Sequence, residues 1–150
     1  MEIEKEIKST VSLNITKKVM LNLTFTRNLI ADKFHEILKP FDLSSEQYNV
    51  LRILRGQKGN PVNMCDIQER MLTKNSNTTR LIDKLITKEM VIRNVCPENR
   101  RKMEIMITEI GMETLSKLDP LVENYEKSLT DNLSAEELET LNTLLEKIRQ

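Results

Sequence analysis

Near position 90 of this 150-residue chain the apolar residues change their spacing, and that change restricts the fold more than any other feature. From Met64 to about Leu72, and again from about Asn75 to Lys88, apolar residues recur at helical intervals: Ile67 and Met71, then Leu81, Ile82 and Leu85. Val91–Val95 and Met103–Ile107 instead have the length and β-branched content of strands. The polar stretch between them, Cys96–Lys102, reads as a turn and ends in three consecutive cations, Arg100, Arg101 and Lys102. Two short helices joined by about three residues make a helix-turn-helix. A hairpin directly after it, with a basic tip, makes a winged helix. Pro61-Val62 can add a third, minimal strand against that hairpin.

Helical patterning flanks this unit on both sides. In the first arm Ile15, Val19, Leu23, Ile30, Phe34, Ile37 and Phe41 mark one face, as one long helix or two in series. Asn14 and Thr16 weaken the stretch before it, and Pro40 ends it. Ser44 with Gln47 forms a capping box and Leu43 with Tyr48 a hydrophobic staple, opening a helix that buries Leu51 and Leu54 until Gly56 and Gly59. Asn63 can cap the helix that follows. Thr108-Glu109 begins another helix, with Leu115, Leu118, Val122, Tyr125 and Leu129 as its stripe; Pro120 should bend it or break its hydrogen bonding locally. Ser134 with Glu137, and Leu133 with Leu138, repeat the box and staple. Leu138, Leu141, Leu145 and Ile148 then follow a seven-residue spacing suited to helix packing. The first arm carries more apolar stripe than so small a domain covers alone, so its expected cover is a second copy of the chain.

Charge is uneven although the formal net charge is zero. Lys74–Lys102 holds eight cations and three anions, a net of +5, whereas Met103–Gln150 holds four and eleven, a net of −7. A basic middle against an acidic tail suits a segment that binds a polyanion. Aromatic residues are only 3% of the chain and Trp is absent, a palette that favours helices over an all-β fold. No apolar run is long enough to span a membrane. The mixed-charge start MEIEKEIKST is unlike a secretory signal, and two cysteines make no disulfide framework; a cytoplasmic location is the expectation. There is no Gly-rich phosphate loop, metal-spaced His/Cys cluster or nucleophile motif, so neither enzyme, metal nor cofactor is expected.

This order of elements, and four local motifs within it, resemble the MarR family of bacterial transcription regulators. The matching pieces are Leu43–Leu51 (LSSEQYNVL), Thr79–Leu85 (TRLIDKL), Pro97–Arg101 (PENRR) and Ile107–Gly111 (ITEIG). The resemblance covers roughly residues 15 to 150. It implies a mainly α fold with a small β-hairpin wing: a winged helix-turn-helix over 44–107, flanked by an N-terminal dimerisation arm, 1–43, and C-terminal dimerisation helices, 108–150, in a single domain. It further implies a homodimer that binds pseudopalindromic double-stranded DNA, as a repressor, and that a small effector can release. Two positions depart from the family pattern. Asn99 stands where the family's wing usually has Asp, and Met90 where it favours Gly for a left-handed helix end.

In a winged helix the second helix enters the major groove N-terminus first. Asn75, Ser76, Asn77, Thr79 and Arg80 are then placed to reach base edges or nearby phosphates, with Lys84 as a phosphate contact. Asn75 and Ser76 can equally serve as helix caps. Arg100, Arg101 and Lys102 can lie along or in the minor groove. His35 reads as a surface or dimer-interface residue, and Cys65, in a half-buried helix, and Cys96 as small packing groups rather than redox sensors. The eight methionines read as core filler. The alternative function is a winged-helix module whose basic face meets an acidic protein.

Overall fold

A computed structural model describes residues 2–150, and the chain divides after Asp42 into two compact units. The first unit holds α1 (Ile3–Glu6), α2 (Ile15–Leu38) and a short 3-10 turn, Lys39–Phe41, that contains Pro40. Two helices in series therefore form, because Asn14 starts α2 afresh: its Oδ1 accepts the Lys17 N–H at 2.9 Å. A Glu4–Lys18 ion pair of 2.5 Å ties α1 to α2. Along α2 only Leu38 is buried. Ile15 is 73% and Met20 56% exposed, and Val19, Leu29 and Ile30 are exposed with them.

The second unit begins at the predicted capping box. Ser44 Oγ accepts the Gln47 N–H and Gln47 Oε1 accepts the Ser44 N–H, both at 3.1 Å, with Leu43 and Tyr48 buried on either side. The helix so opened, α3 (Ser45–Gly56), is followed by α4 (Met64–Arg70), which Asn63 caps, and by α5 (Thr78–Thr87). β1 (Val91–Cys96) and β2 (Asn99–Ile107) pair antiparallel, with Val91 opposite Ile107 and Val95 opposite Met103. Val62 and Ile105 exchange backbone hydrogen bonds of 3.0 and 2.8 Å, so Pro61-Val62 meets the hairpin through a single β-bridge, short of the expected third strand, and the sheet stays two-stranded. Ile67, Met71, Ile82, Leu85, Val91 and Ile105 from these elements meet Leu51 and Leu54 of α3 in one core. Cys65 lies outside it: α4 turns Ile67 inward, which places the residue two earlier on the exposed side, contrary to its reading as a small packing group.

α6 (Glu109–Thr130) runs through Pro120 and adds Leu115, Leu118 and Val122 to the buried residues, and α7 (Ala135–Ile148) opens on the Ser134–Glu137 box. Leu138 and Leu145 are half-buried, but Leu133, Leu141, Leu144 and Ile148 are exposed, so the apolar face of α7 is largely uncovered within the chain. Among the described residues no helix is long and apolar enough to cross a membrane.

Arg55 of α3 grips Asp119 of α6 through two hydrogen bonds, 2.7 and 2.9 Å. Those bonds hold the Asp119 carboxyl below its ordinary value of 3.8 and the Arg55 guanidinium above its own. A lowered carboxyl stabilises the fold above its unfolded-state value, and that stability is lost as pH falls through the folded-state value. The side chains are 29% and 47% exposed, so the pair contributes only about 0.5–1 kcal/mol after solvent screening. Asp119→Asn is expected to melt earlier than wild type at neutral pH. The two melting curves should converge as the pH drops below about 4.

At the end of α5 the Glu89 N–H bonds to the Ile86 carbonyl at 2.9 Å and the Met90 N–H to the Leu85 carbonyl at 3.0 Å, the paired closure of a Schellman motif. The left-handed residue is Glu89, at φ 59°, and not Met90 as the family comparison suggested. The register is one residue earlier because the closure counts back from Thr87, the last helical residue. Glu89→Gly is therefore expected to stabilise the protein by about 0.4–1 kcal/mol, read as a higher denaturation midpoint in urea.

Candidate nucleic-acid interface

α5 has two faces with different work. Thr78, Ile82 and Leu85 point into the core, while Thr79, Arg80, Asp83, Lys84 and Thr87 are exposed on the other side. The helix starts about three residues later than its sequence pattern suggests. Asn77 is the cap, its Oδ1 accepting the Arg80 N–H at 3.1 Å, so neither Asn75 nor Ser76 fills that role. Both lie in the preceding turn. Ser76 is half-buried, and its hydroxyl and its N–H both donate to the Thr73 carbonyl, at 2.8 and 3.2 Å; Asn75 is exposed. Asn75, Asn77, Thr79 and Arg80 thus cluster at the tip of the helix, with Lys84 about one turn further along the same face.

The hairpin presents its cations in a different way from the predicted turn. Only Pro97-Glu98 forms the turn, with Cys96 opposite Asn99, and the next matched pair is Val95 with Met103. Arg100, Arg101 and Lys102 are consequently three extra residues of β2 facing a single step of β1. Such a bulge cannot stay in the ladder, so it carries all three, exposed, to the distal end of the wing. Asn99 accepts the Arg101 N–H on its Oδ1 at 3.1 Å. In place of a charge pair, the amide thus shapes the backbone of the bulge.

One acid stands on the exposed face of α5. Asp83 would repel a polyanion, but Arg93 of β1 donates to its Oδ1 at 2.9 Å and offsets the charge while linking helix to wing. Arg93 was not among the residues singled out from the sequence. The only signal was an acid at an otherwise basic helix face. A partner ten residues away across a helix end and a strand start is not periodic with it. His35 lies exposed on α2, Cys96 is half-buried, and among the described residues no three His, Cys, Asp or Glu side chains gather as metal ligands would. The surface that remains is a polar helix tip plus a cationic hairpin end. These are the two kinds of group that reach base edges and phosphates in duplex DNA.

Comparison with known proteins points the same way. The model of the MarR family matches residues 43–103. The multiple antibiotic resistance protein MarR of Escherichia coli is 28% identical over 115 residues, which cover 76% of this chain and 78% of that protein. The crystal structure of a MarR transcription factor from Planctomyces limnophilus is 32% identical, with a TM-score of 0.70, over 91% of this chain and 98% of that one. A mutant E. coli MarR crystallised in complex with operator DNA is 25% identical, with a TM-score of 0.75, over 91% of this chain and 99% of that one.

Proposed function

The chain belongs to the MarR family of DNA-binding transcription regulators, and from that premise we propose that it acts as a repressor that binds a pseudopalindromic operator as a homodimer. The observation that carries this reading is the exposed polar tip of α5 together with a hairpin whose three cations are extruded by a bulge. In it, α5 enters the major groove. Asn77, Thr79 and Arg80, with Asn75 and Ser76 from the turn, meet base edges or adjacent phosphates, and Lys84 meets a phosphate. Arg100, Arg101 and Lys102 follow the minor groove. A second copy is supported by the uncovered apolar residues of α2 and α7, such as Ile15 and Ile148, the latter 58% exposed. Two-fold symmetry then sets the half-sites about 10 base pairs apart. Release by a small effector completes the reading and rests on family membership alone.

The test is selection of bound duplexes from a random DNA pool at about physiological salt, followed by sequencing. A pseudopalindrome with half-sites one helical turn apart is expected; enrichment without symmetry would overturn the homodimer. If no DNA were retained even at low salt, the basic face would have to serve an acidic protein instead. On the selected duplex Arg80→Ala should cost about 1–3 kcal/mol and relax preference at the base it meets. Lys84→Ala should weaken selected and random duplexes alike.

A further inference from the structure

The turn that carries Asn75, Ser76 and Asn77 is held from outside by two carboxamide side chains. Asn49 of α3 accepts the Leu72 N–H on its Oδ1 at 2.9 Å, fixing the point where the chain leaves α4. Gln68 of α4 fixes the other end. Its Nε2 donates to the Lys74 carbonyl at 2.7 Å, and its Oε1 accepts the hydroxyl of Thr78, the first residue of α5. A carbonyl can only accept, so the amide nitrogen must face Lys74, which leaves the oxygen for Thr78. A carboxylate would lack the donor and an ammonium the acceptor. Thr78 is only 4% exposed, so its hydroxyl has little access to water in exchange for this bond.

We propose that Gln68 and Asn49 are positioning residues for operator reading, setting where the tip of α5 stands without supplying charge to the DNA. The proposal rests on the reading that this tip meets base edges. Two-point hydrogen bonding to a base tolerates little displacement of the donor, whereas attraction between cations and phosphates falls off slowly with distance. Loosening the turn therefore removes discrimination between sequences and leaves general DNA affinity in place. Neither residue lies on the exposed face of α5 or in the wing, which is why hydrophobic period and charge do not single them out.

The experiment measures dissociation constants and their salt dependence for the selected duplex and for a scrambled duplex of the same length. The variants are Gln68→Met, Gln68→Glu, Asn49→Leu and Asn49→Asp, with Arg80→Ala alongside and thermal melting of each protein. Gln68→Met and Asn49→Leu keep the side-chain size but lose the hydrogen bonds. They are expected to lower the ratio of selected to scrambled affinity about tenfold, with the scrambled duplex bound within about twofold of wild type and an unchanged salt slope. Asn49→Asp keeps the acceptor for Leu72 and should restore that ratio, although its charge weakens both duplexes together. Gln68→Glu keeps the acceptor for Thr78 but not the donor, and should fall between wild type and Gln68→Met. An unchanged ratio in both Gln68→Met and Asn49→Leu, or an Asn49→Asp no better than Asn49→Leu, would overturn the proposal. If Arg80→Ala also left the ratio unchanged, the failure would lie with the reading of α5. Should an apolar variant melt below the assay temperature, the charged variants decide: a Gln68→Glu ratio below wild type with an Asn49→Asp ratio equal to it supports the proposal, and a Gln68→Glu ratio equal to wild type or an Asn49→Asp ratio below it overturns it.

Discussion

Gly111→Ala is expected to destabilise the protein by about 2–3 kcal/mol, lowering its melting temperature by roughly 5–10 °C. Gly111 is the third residue of α6, and its N–H is held by Thr108 Oγ1 at 3.1 Å. The same Thr108 hydroxyl donates to the Glu89 carbonyl at 2.6 Å, while the Thr108 N–H donates to the Met90 carbonyl at 3.0 Å. One residue thus stitches the end of α5, the root of β1 and the start of α6. This draws the Met90 carbonyl so close that a Cβ on residue 111 would stand 2.4 Å from its oxygen, and 2.7 Å from Cγ1 of Ile107. Backbone oxygen cannot rotate away as a side chain would, so the start of α6 must shift. Alanine's better helix propensity returns only about 1 kcal/mol, and the clash outweighs it. Chemical denaturation of wild type and variant measures the difference, and a change smaller than about 0.5 kcal/mol would mean that the close approach is relieved at little cost. The motif Ile107–Gly111 thereby has a physical reason: threonine for the three-way stitch, glycine for the space beside it.

That motif also shows what the amino-acid order makes legible. Caps are readable because a side chain and the N–H it accepts are three residues apart. Ser44, Asn63 and Ser134 all act as their neighbours suggest. The strands are readable as well, because β-branched residues cluster where the helical period stops. What fails are choices settled by distant groups. Asn75, Ser76 and Asn77 are each adequate caps in isolation, and the start of α5 falls at Thr78, which Gln68 holds from ten residues back. The local sequence places the wing cations in a turn, because nothing in it shows that Cys96 pairs with Asn99 and leaves three residues to bulge. Arg55 and Asp119 are 64 residues apart, and no pattern in either helix announces their pairing. The candidate site was legible as composition, a polar helix start and a basic wing. The side chains that hold it in place, Asn49, Gln68 and Arg93, were not, since each acts through a contact that only the folded chain creates.

Replacing Arg100, Arg101 and Lys102 together with alanine is expected to cause the largest loss of DNA binding. All three are exposed on a bulge outside the core, so the variant should unfold within about 0.5 kcal/mol of wild type. Its net charge over Lys74–Lys102 falls from +5 to +2. Each phosphate neutralised by a cation contributes about 0.9 to the slope of log affinity against log salt, so three lost contacts flatten that slope by up to about 2.7 for each protomer. Between 50 and 200 mM salt, such a change alters the ratio of wild-type to variant affinity about fortyfold for each half-site. The advantage of wild type should accordingly be greatest at low salt and shrink as salt rises. Arginines inserted into the minor groove add a second signature, because narrow A·T tracts concentrate negative potential there. The loss should then be larger on duplexes whose half-sites are flanked by A·T tracts than on those flanked by G·C. An equal loss on both flanks, with the slope still flattened, would place the cations on phosphates alone. A salt slope identical to that of wild type would remove the wing from the interface and leave α5 as the only element that meets DNA.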